Sequence, residues 1–357
     1  MAIATTPDIA AIQTFAEKTF GDLAATMSIM LAAAGDRLGL YKALAERGAL
    51  TSQELADAAN VDERYAREWL NGSASSGYLA YDALTGTYSL PAAHAPVLAG
   101  EGGPAFIGGR LEQLPSALAT FDLLMDAFRT GEGVPQSAFD HHFWTGLERD
   151  AVATIDNALL QEWIPAIPDL RPRLERGATV ADIGCGAARS LIRMAEAFPN
   201  SRFTGYDNFP AQVELARTGV DEAGLSDRVT IELHDVAQGL TRQFDVVTSF
   251  DVIHDAADPA ALMTRIRESL NPNGIYMMVE PGAGETVEDN LGPLGTILYS
   301  FGLFYCMPVS LAEDGAGLGM AGLPESKVRE LAASAGFRDV RNAGIQHPLN
   351  AMYELRA

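Results

Sequence analysis

Residues 180–190, VADIGCGAARS, bring one acid and two closely spaced glycines together: Asp182, Gly184, Cys185 and Gly186. An apolar run precedes them and a helically spaced stretch comes after. That puts the segment at the carboxyl end of a strand, where doubly wound sheets bind their ligands. Glycines there let a ligand approach the backbone closely. A phosphate-binding P-loop is excluded, because the lysine which that motif requires is absent. A dinucleotide loop fits poorly. Arg189 stands where a third small residue should be, and Asp182 would repel a pyrophosphate. An acid at this place suits a cation, either an ammonium or a sulfonium.

Three further strand ends add to this loop. The second strand ends in GYDN, with Asp207 lying 23 residues after Gly184 and followed by Asn208. Asp207 is placed to accept from both hydroxyls of a ribose, which would suit NAD equally well. The third ends in LHDVA. There Asp235 can accept from an exocyclic adenine amine and Val236 can line the ring, although Asp235 could instead cap a helix. The fourth, FDVVTSFDVIHDAADP, sets Phe250, Asp251, His254 and Asp255 at its tip, against cofactor and acceptor. S-adenosylmethionine carries a sulfonium, an ammonium, a ribose and an adenine, so one ligand accounts for all four ends. A histidine that titrates near neutral pH suits proton removal from an acidic hydroxyl.

Other candidates are weaker. His234 reads as structural. The pair His141 and His142 falls in a segment read as solvated loop, and Phe143 and Trp144 beside it are expected to cover the active site. The stretch Ile297–Met307 is rich in aromatic residues, and Tyr299, Tyr305 and Met307 are expected to form an apolar acceptor wall. Cys306 has no activating base beside it in sequence, and methyl transfer from a sulfonium needs no covalent intermediate. No metal site is expected, since adjacent histidines lack ligand spacing and a third ligand.

The elements that must hold these residues can be read from periodicity. From Gly177 onward, apolar strands alternate with amphipathic helices. This predicts an α/β domain with a doubly wound, Rossmann-like seven-stranded sheet, its last two strands pairing antiparallel. Before it, Ile12–Leu44 has helical spacing broken near Gly35 and Gly39. Thr51 with Glu54 forms a capping box, Asp62 caps a second short helix, and YLAYDALTGTYSL reads as a hairpin. Helix, helix and hairpin in that order predict a winged helix. The expected divisions are residues 1–100 as winged helix, 101–170 as a helical connector or lid, and 171–357 as the cofactor-binding domain.

The chain has 357 residues, and 48% are hydrophobic, enough for real cores. Its formal charge is −22, from 25 basic and 47 acidic residues, which opposes binding to nucleic acid or to anionic membranes. Two cysteines cannot build a disulfide framework. The first twenty residues lack a basic n-region, and the longest apolar run, Leu291–Met307, is interrupted by glycines and a proline. A cytoplasmic location is therefore expected. The segment DERYAREW, where a DNA reader would carry a basic recognition helix, is slightly acidic.

The segments VADIGCG, GYDN, LHDVA, FDVIHDAADP and LNPNGIYMMVEP together resemble class I S-adenosylmethionine-dependent methyltransferases with an N-terminal winged-helix dimerisation domain. TSQELADAANVDERYAREWL and the stretch after EDNLGP look like an actinobacterial small-molecule branch. IHDAAD is similar to the HDW-type segment of plant-like small-molecule O-methyltransferases, whose histidine is the general base. His254 and Asp255 match that segment, and Ala256 stands where those enzymes have tryptophan. The resemblance implies a homodimer that methylates a small molecule. N- or C-methylation, non-methylating chemistry on the same scaffold, and a cofactor-sensing DNA-binding regulator are the alternatives.

Overall fold

A computed structural model describes residues 8–357. The chain divides into two compact units. One holds the residues up to Ser116 together with His141–Ala153, and the other holds Ala117–Asp140 with Thr154–Ala357.

In the first unit, α1 (Ile9–Arg37) is capped by Asp8 and stops before Gly39, whose φ of 67° turns the chain into α2 (Leu40–Arg47). Thr51 and Glu54 form the expected capping box on α3 (Ser52–Ala59), and Asp62 caps α4 (Glu63–Ser75). Strands β1 (Ala80–Asp82) and β2 (Thr87–Ser89) pair antiparallel as the expected hairpin. Leu40, Leu44, Leu55 and Leu70 form the core together with Tyr41 and Trp69, whose rings meet edge-on at 5.1 Å. Gly35 is required here, because a Cβ would lie 2.4 Å from the Trp69 ring.

Next come α5 (Ala95–Leu98), α6 (Gly108–Ala119), α7 (Phe121–Thr130) and α8 (His141–Ala158). Residues 101–170, read as one connector, thus contribute to both units. His141 and His142 open α8 instead of lying in a solvated loop. Burial of Phe143 and a bond between His142 Nδ1 and Glu112 Oε1 (2.7 Å) draw them into the fold. Within the same unit Arg149 pairs with Asp36, Glu101 and Glu112.

The second unit begins with α7. After α8 it continues through a π-helical turn, Leu159–Trp163, then α9 (Ile164–Ala166) and α10 (Leu170–Arg176). The expected alternation comes next as β3 (Thr179–Ile183), α11 (Arg189–Ala197), β4 (Arg202–Asp207), α12 (Pro210–Glu222), β5 (Val229–Leu233), β6 (Phe244–Phe250), α13 (Pro259–Glu268) and β7 (Leu270–Pro281). Helix α14 (Pro293–Phe301), a second π turn (Gly302–Cys306) and α15 (Met307–Ala312) form one continuous helical segment. Helix α16 (Glu325–Ser334), β8 (Asp339–Asn342) and β9 (Asn350–Arg356) complete the unit.

Seven strands form one sheet in the order β5-β4-β3-β6-β7-β9-β8. The first five are mutually parallel, and β9 runs antiparallel to both of its neighbours. Strand order reverses at β3, so the tips of β3, β4 and β6 surround the switch-point crevice.

Two strand readings change. Strand β6 ends at Phe250, because Asp251 takes a left-handed φ of 56°, and His254 therefore sits in the loop beyond it. Strand β7 starts earlier, at Leu270, opposite Phe244. The apolar stretch read as broken is the 20-residue helical segment Pro293–Ala312. It is long and apolar enough to cross a membrane by length and composition, with 44% of it buried within the protein.

Candidate active site

The glycine loop is shaped by backbone that larger residues would disturb. Gly184 and Gly186 have φ of 64° and 50°. A Cβ on Gly184 would come within 2.7 Å of Val252, whereas one on Gly186 would meet nothing nearer than 3.9 Å. Gly186 is thus the open side of the loop, where a ligand can lie against the main chain. The loop is tied to β4, for Gly186 N–H donates to Asp207 Oδ2 (3.0 Å) and Cys185 N–H to the Tyr206 carbonyl (3.0 Å). The other Asp207 oxygen accepts from Phe209 N–H at 2.8 Å. Burial pushes the Asp207 carboxyl up while these amides pull it back.

Asp182 lies deeper. It is 1% exposed and accepts from Ser190 Oγ (2.5 Å) and Thr248 Oγ1 (2.6 Å). Burial raises its pKa to about 7, against the pull of the two hydroxyls. Sequence reading misses this shift because it cannot see the depth. Cys185 is buried too, and burial pushes its thiol up.

Asp235 caps a short 3-10 turn, accepting from Ala237 N–H at 2.9 Å. Val236 is buried after it, and Asn208 is exposed beside Asp207. His234 is occupied by the Gly239 carbonyl at 2.8 Å. Phe250, half-buried at the β6 tip, stacks on Trp163 with centroids 5.8 Å apart. Trp163 comes from the first π turn and was not singled out in the sequence. Its indole Nε1 is buried with no hydrogen-bond partner.

His254 is 3% exposed and its Nδ1 lies 2.8 Å from Oε2 of Glu280, which is completely buried at the end of β7. Glu280 also accepts from the N–H groups of Val252 (3.1 Å) and Ile253 (2.7 Å). A carboxylate already taking two amides is an acceptor, so Nδ1 carries the proton and Nε2 presents its lone pair. Sequence reading missed Glu280. Its signal was a lone acid closing the apolar run IYMMVE.

Cys306, at the end of the second π turn, is buried. Burial works against a charged ring, but Cys306, Glu280 and Asp255 outweigh it and hold His254 well above the usual histidine range. Asp255 is half-buried, and burial lifts its pKa to about 6 against the pull of His254.

The expected acceptor wall divides. Tyr305 meets Phe139 edge-on at 5.1 Å, and its hydroxyl is raised by burial and then by Asp255 and Cys306. Met307 instead lines an apolar cavity of about 200 Å³ with Leu124, Phe128, Leu303 and Leu311. Tyr299 is 43% exposed on α14. Trp144 belongs to the first unit, where its ring meets Phe143 at 5.3 Å.

Residues 174–294 match the family described as a methyltransferase domain, and residues 25–100 match the Rv2258c-like winged HTH domain. The matched region is that of a methyltransferase domain. Within this methyltransferase region it is 34% identical over 103 residues to the ubiquinone biosynthesis O-methyltransferase of Cereibacter sphaeroides. That match covers 29% of this chain and 40% of the relative. The chain spans less than half the length of the first curated relatives it matches. Among solved structures it resembles the mitomycin 7-O-methyltransferase MmcR at TM-score 0.71 and 21% identity, covering 98% of this chain and 100% of that one. It also resembles human N-acetylserotonin methyltransferase at TM-score 0.72 and 19% identity, covering 99% of each. These structural likenesses are likenesses of fold.

The donor set of the methyltransferase domain suits its cofactor. The open backbone at Gly186, the carboxylates beyond β4 and β5 and the aromatic Phe250 can accommodate a cationic nucleoside, and Arg189 at the start of α11 is paired with Asp156.

Proposed function

We propose that this protein is an S-adenosylmethionine-dependent O-methyltransferase acting on a small molecule that bears an acidic hydroxyl. The observation that carries this reading is the buried His254–Glu280 pair beside the glycine loop. Asp207 would hold the ribose hydroxyls, Asp235 the adenine amine, Val236 and Phe250 the ring, and Gly184, Cys185 and Gly186 the methionine end. When bound, the cofactor supplies an electrophilic sulfonium methyl. His254 would take the acceptor proton at Nε2 while Glu280 keeps Nδ1 protonated and stabilises the imidazolium that results. Asp255 neighbours the pair and tunes it. Alignment of acceptor and methyl would supply most of the barrier reduction, roughly 7–11 kcal/mol in intramolecular analogues.

The name of the mitomycin enzyme and that of the ubiquinone relative both specify oxygen as the acceptor atom, which supports the O-methyl reading. The decisive experiment screens phenols, catechols and polyketide-like hydroxyls for cofactor turnover, then compares His254→Ala. A fall in kcat of about 10²-fold or more with unchanged cofactor affinity is expected. Full activity of His254→Ala on the native acceptor would reject the base and favour an amine or carbon acceptor.

The protein would work as a homodimer. Ile9, Ile12, Phe15, Phe20, Leu23 and Met27 are all exposed along the first two-thirds of α1, a rod of roughly 30 Å that buries nothing in its own unit. Phe20→Glu with Leu23→Glu should give monomers by light scattering, and a wild-type monomer at micromolar concentration would reject this assembly. On α4, the two arginines pair with Glu68 and Glu63, which supports assembly over DNA reading.

A further inference from the structure

Trp163 closes the first π turn, Leu159–Trp163, and is 1% exposed. Its ring lies near-parallel to that of Phe250 at the β6 tip, with centroids 5.8 Å apart, and edge-on to His347 at 6.1 Å. The turn packs on α11, the helix that opens from the glycine loop, and Arg189 at the start of α11 pairs with Asp156 of α8. On another side Gln346 N–H donates to Glu162 of the turn (2.7 Å), and Asn350 Nδ2 donates to Asp251 just past β6 (2.7 Å). Trp163 shares one buried cluster with Cys185 and with Ala188, which ends the glycine loop. A π turn adds one residue to a helical turn and so rotates the residues beyond it, a device frequently found at functional sites.

The indole Nε1–H is buried with no hydrogen-bond partner among the described residues. A buried tryptophan N–H ordinarily finds one, and leaving it unmet is destabilising. Phenylalanine would fill an apolar place without that cost, so the donor calls for a ligand that brings an acceptor. S-adenosylmethionine carries one anionic group, the carboxylate of its methionine end. Its crevice is otherwise poorly equipped for an anion: Asp182 and Asp207 are acids, and Arg189 is engaged by Asp156. A lysine placed among these acids would be drawn into ion pairs, whereas an indole N–H is neutral and donates only. Helix α11 also begins at the loop without a side-chain cap, an end that favours negative charge.

We propose that the indole N–H of Trp163 receives the carboxylate of the cofactor, so that the methionine end lies between the glycine loop and the π turn. The inference deepens the assignment of that end to Gly184, Cys185 and Gly186. It is independent of the acceptor atom and of any role for His254. It also gives the crevice a means of telling the cofactor from adenosine compounds that lack the carboxylate.

Two ligands test it on the full-length protein. One is S-adenosylhomocysteine. The other is S-adenosyl-3-thiopropylamine, which keeps the nucleoside, the thioether and the ammonium and lacks only the carboxylate. The chain has three tryptophans, so NMR should show three indole N–H signals. Trp69 donates to the Leu31 carbonyl, and Trp144 belongs to the first unit. Trp163→Phe identifies the third signal; if that variant fails to fold, Trp69→Phe and Trp144→Phe identify it by elimination. In the wild type this signal should move downfield with S-adenosylhomocysteine and much less with the amine. No movement, or equal movement with both, overturns the proposal.

Calorimetry supplies the second readout. Trp163→Phe should weaken S-adenosylhomocysteine about tenfold, because a hydrogen bond to a charged group is lost, and should change the affinity of the amine by less than about twofold. A packing role alone would weaken both ligands alike, and that result also overturns the proposal. Failure of S-adenosylhomocysteine to bind the wild type would remove the cofactor assignment, and this inference with it. A screen that finds no hydroxyl acceptor counts against the O-methylation reading alone.

Discussion

At the tips of β3 and β4, carboxyl groups are bound by hydroxyls and loop amides and lie raised toward neutrality. Beyond the tip of β6, an imidazole lies 2.8 Å from the Glu280 carboxyl at the end of β7 and is held well above the usual histidine range. Both pairs sit on one sheet edge under similar burial. The partner makes the difference. Asp182 is bound by neutral hydroxyls and also faces the like charge of Asp207, so burial and repulsion together favour the protonated form. His254 has acids beside it, Glu280 and Asp255 among them, and there the neighbours outweigh burial. The cofactor side can therefore become anionic when a cation arrives, while the imidazole is biased toward its charged form before any ligand binds.

Breaking the base side should have the largest effect. Glu280→Gln keeps the shape but turns an N–H toward Nδ1, which forces the imidazole proton onto Nε2. A loss in kcat on the order of 10²–10⁴-fold is expected in steady-state assays, with cofactor affinity retained. Asp207→Ala should act oppositely, weakening cofactor binding by roughly tenfold to a hundredfold in calorimetry, since one charge-assisted set of contacts is worth about 1.5–3 kcal/mol.

The two sides should also part in their pH dependence. Asp182 has its folded pKa raised to about 7, so ionising it destabilises the fold as pH rises from the ordinary aspartate range through 7. A bound cation reverses that preference. Cofactor affinity should rise with pH between about 6 and 8, and the slope should vanish in Asp182→Asn. His254 obeys the opposite rule. Its raised pKa gives stability that is fully present below the ordinary histidine value and is lost as pH climbs through the folded value. Turnover should grow over that same upper range, because the free base appears there. A rate that saturates below pH 6.5 would separate His254 from proton transfer. The smallest change is expected from Thr248→Val, which removes one hydroxyl from Asp182. It should shift the affinity–pH curve upward by less than about one unit, read in the same calorimetry.

Much of the scaffold was legible because it is written locally. The Thr51–Glu54 capping box, the Asp62 cap and the alternation of strand and helix after Gly177 depend on neighbours a few residues away. The positions of Asp182 and Asp207 at the ends of β3 and β4 were legible for the same reason, whereas His254 lies in the loop beyond β6. Their partners were not. Glu280 reaches His254 across 26 residues through the β6–β7 pairing, and Trp163 reaches Phe250 from a π turn that leaves no mark in composition. The helical course of 293–312 ran against its glycines. Gly295 is held there by close approach, since a Cβ would strike the Asn290 carbonyl. Residues His141–Trp144 became helical because tertiary burial overrode a weak local preference.

The position of β9 carries a consequence for how the protein is made. Strand β7 is buried along nearly its whole length, yet on one side it pairs with β9, about 70 residues further along the chain. At ribosomal rates of 5–20 residues per second, that edge waits for roughly 4–14 seconds. During this interval IYMMVE is an apolar strand with an open row of backbone donors and acceptors, a template for pairing with other nascent chains. The strand that carries Glu280, the partner of His254, is thus exposed during synthesis. Chains interrupted before Asn350 should collect in aggregates and on chaperones, whereas interruption inside the first unit leaves no such edge.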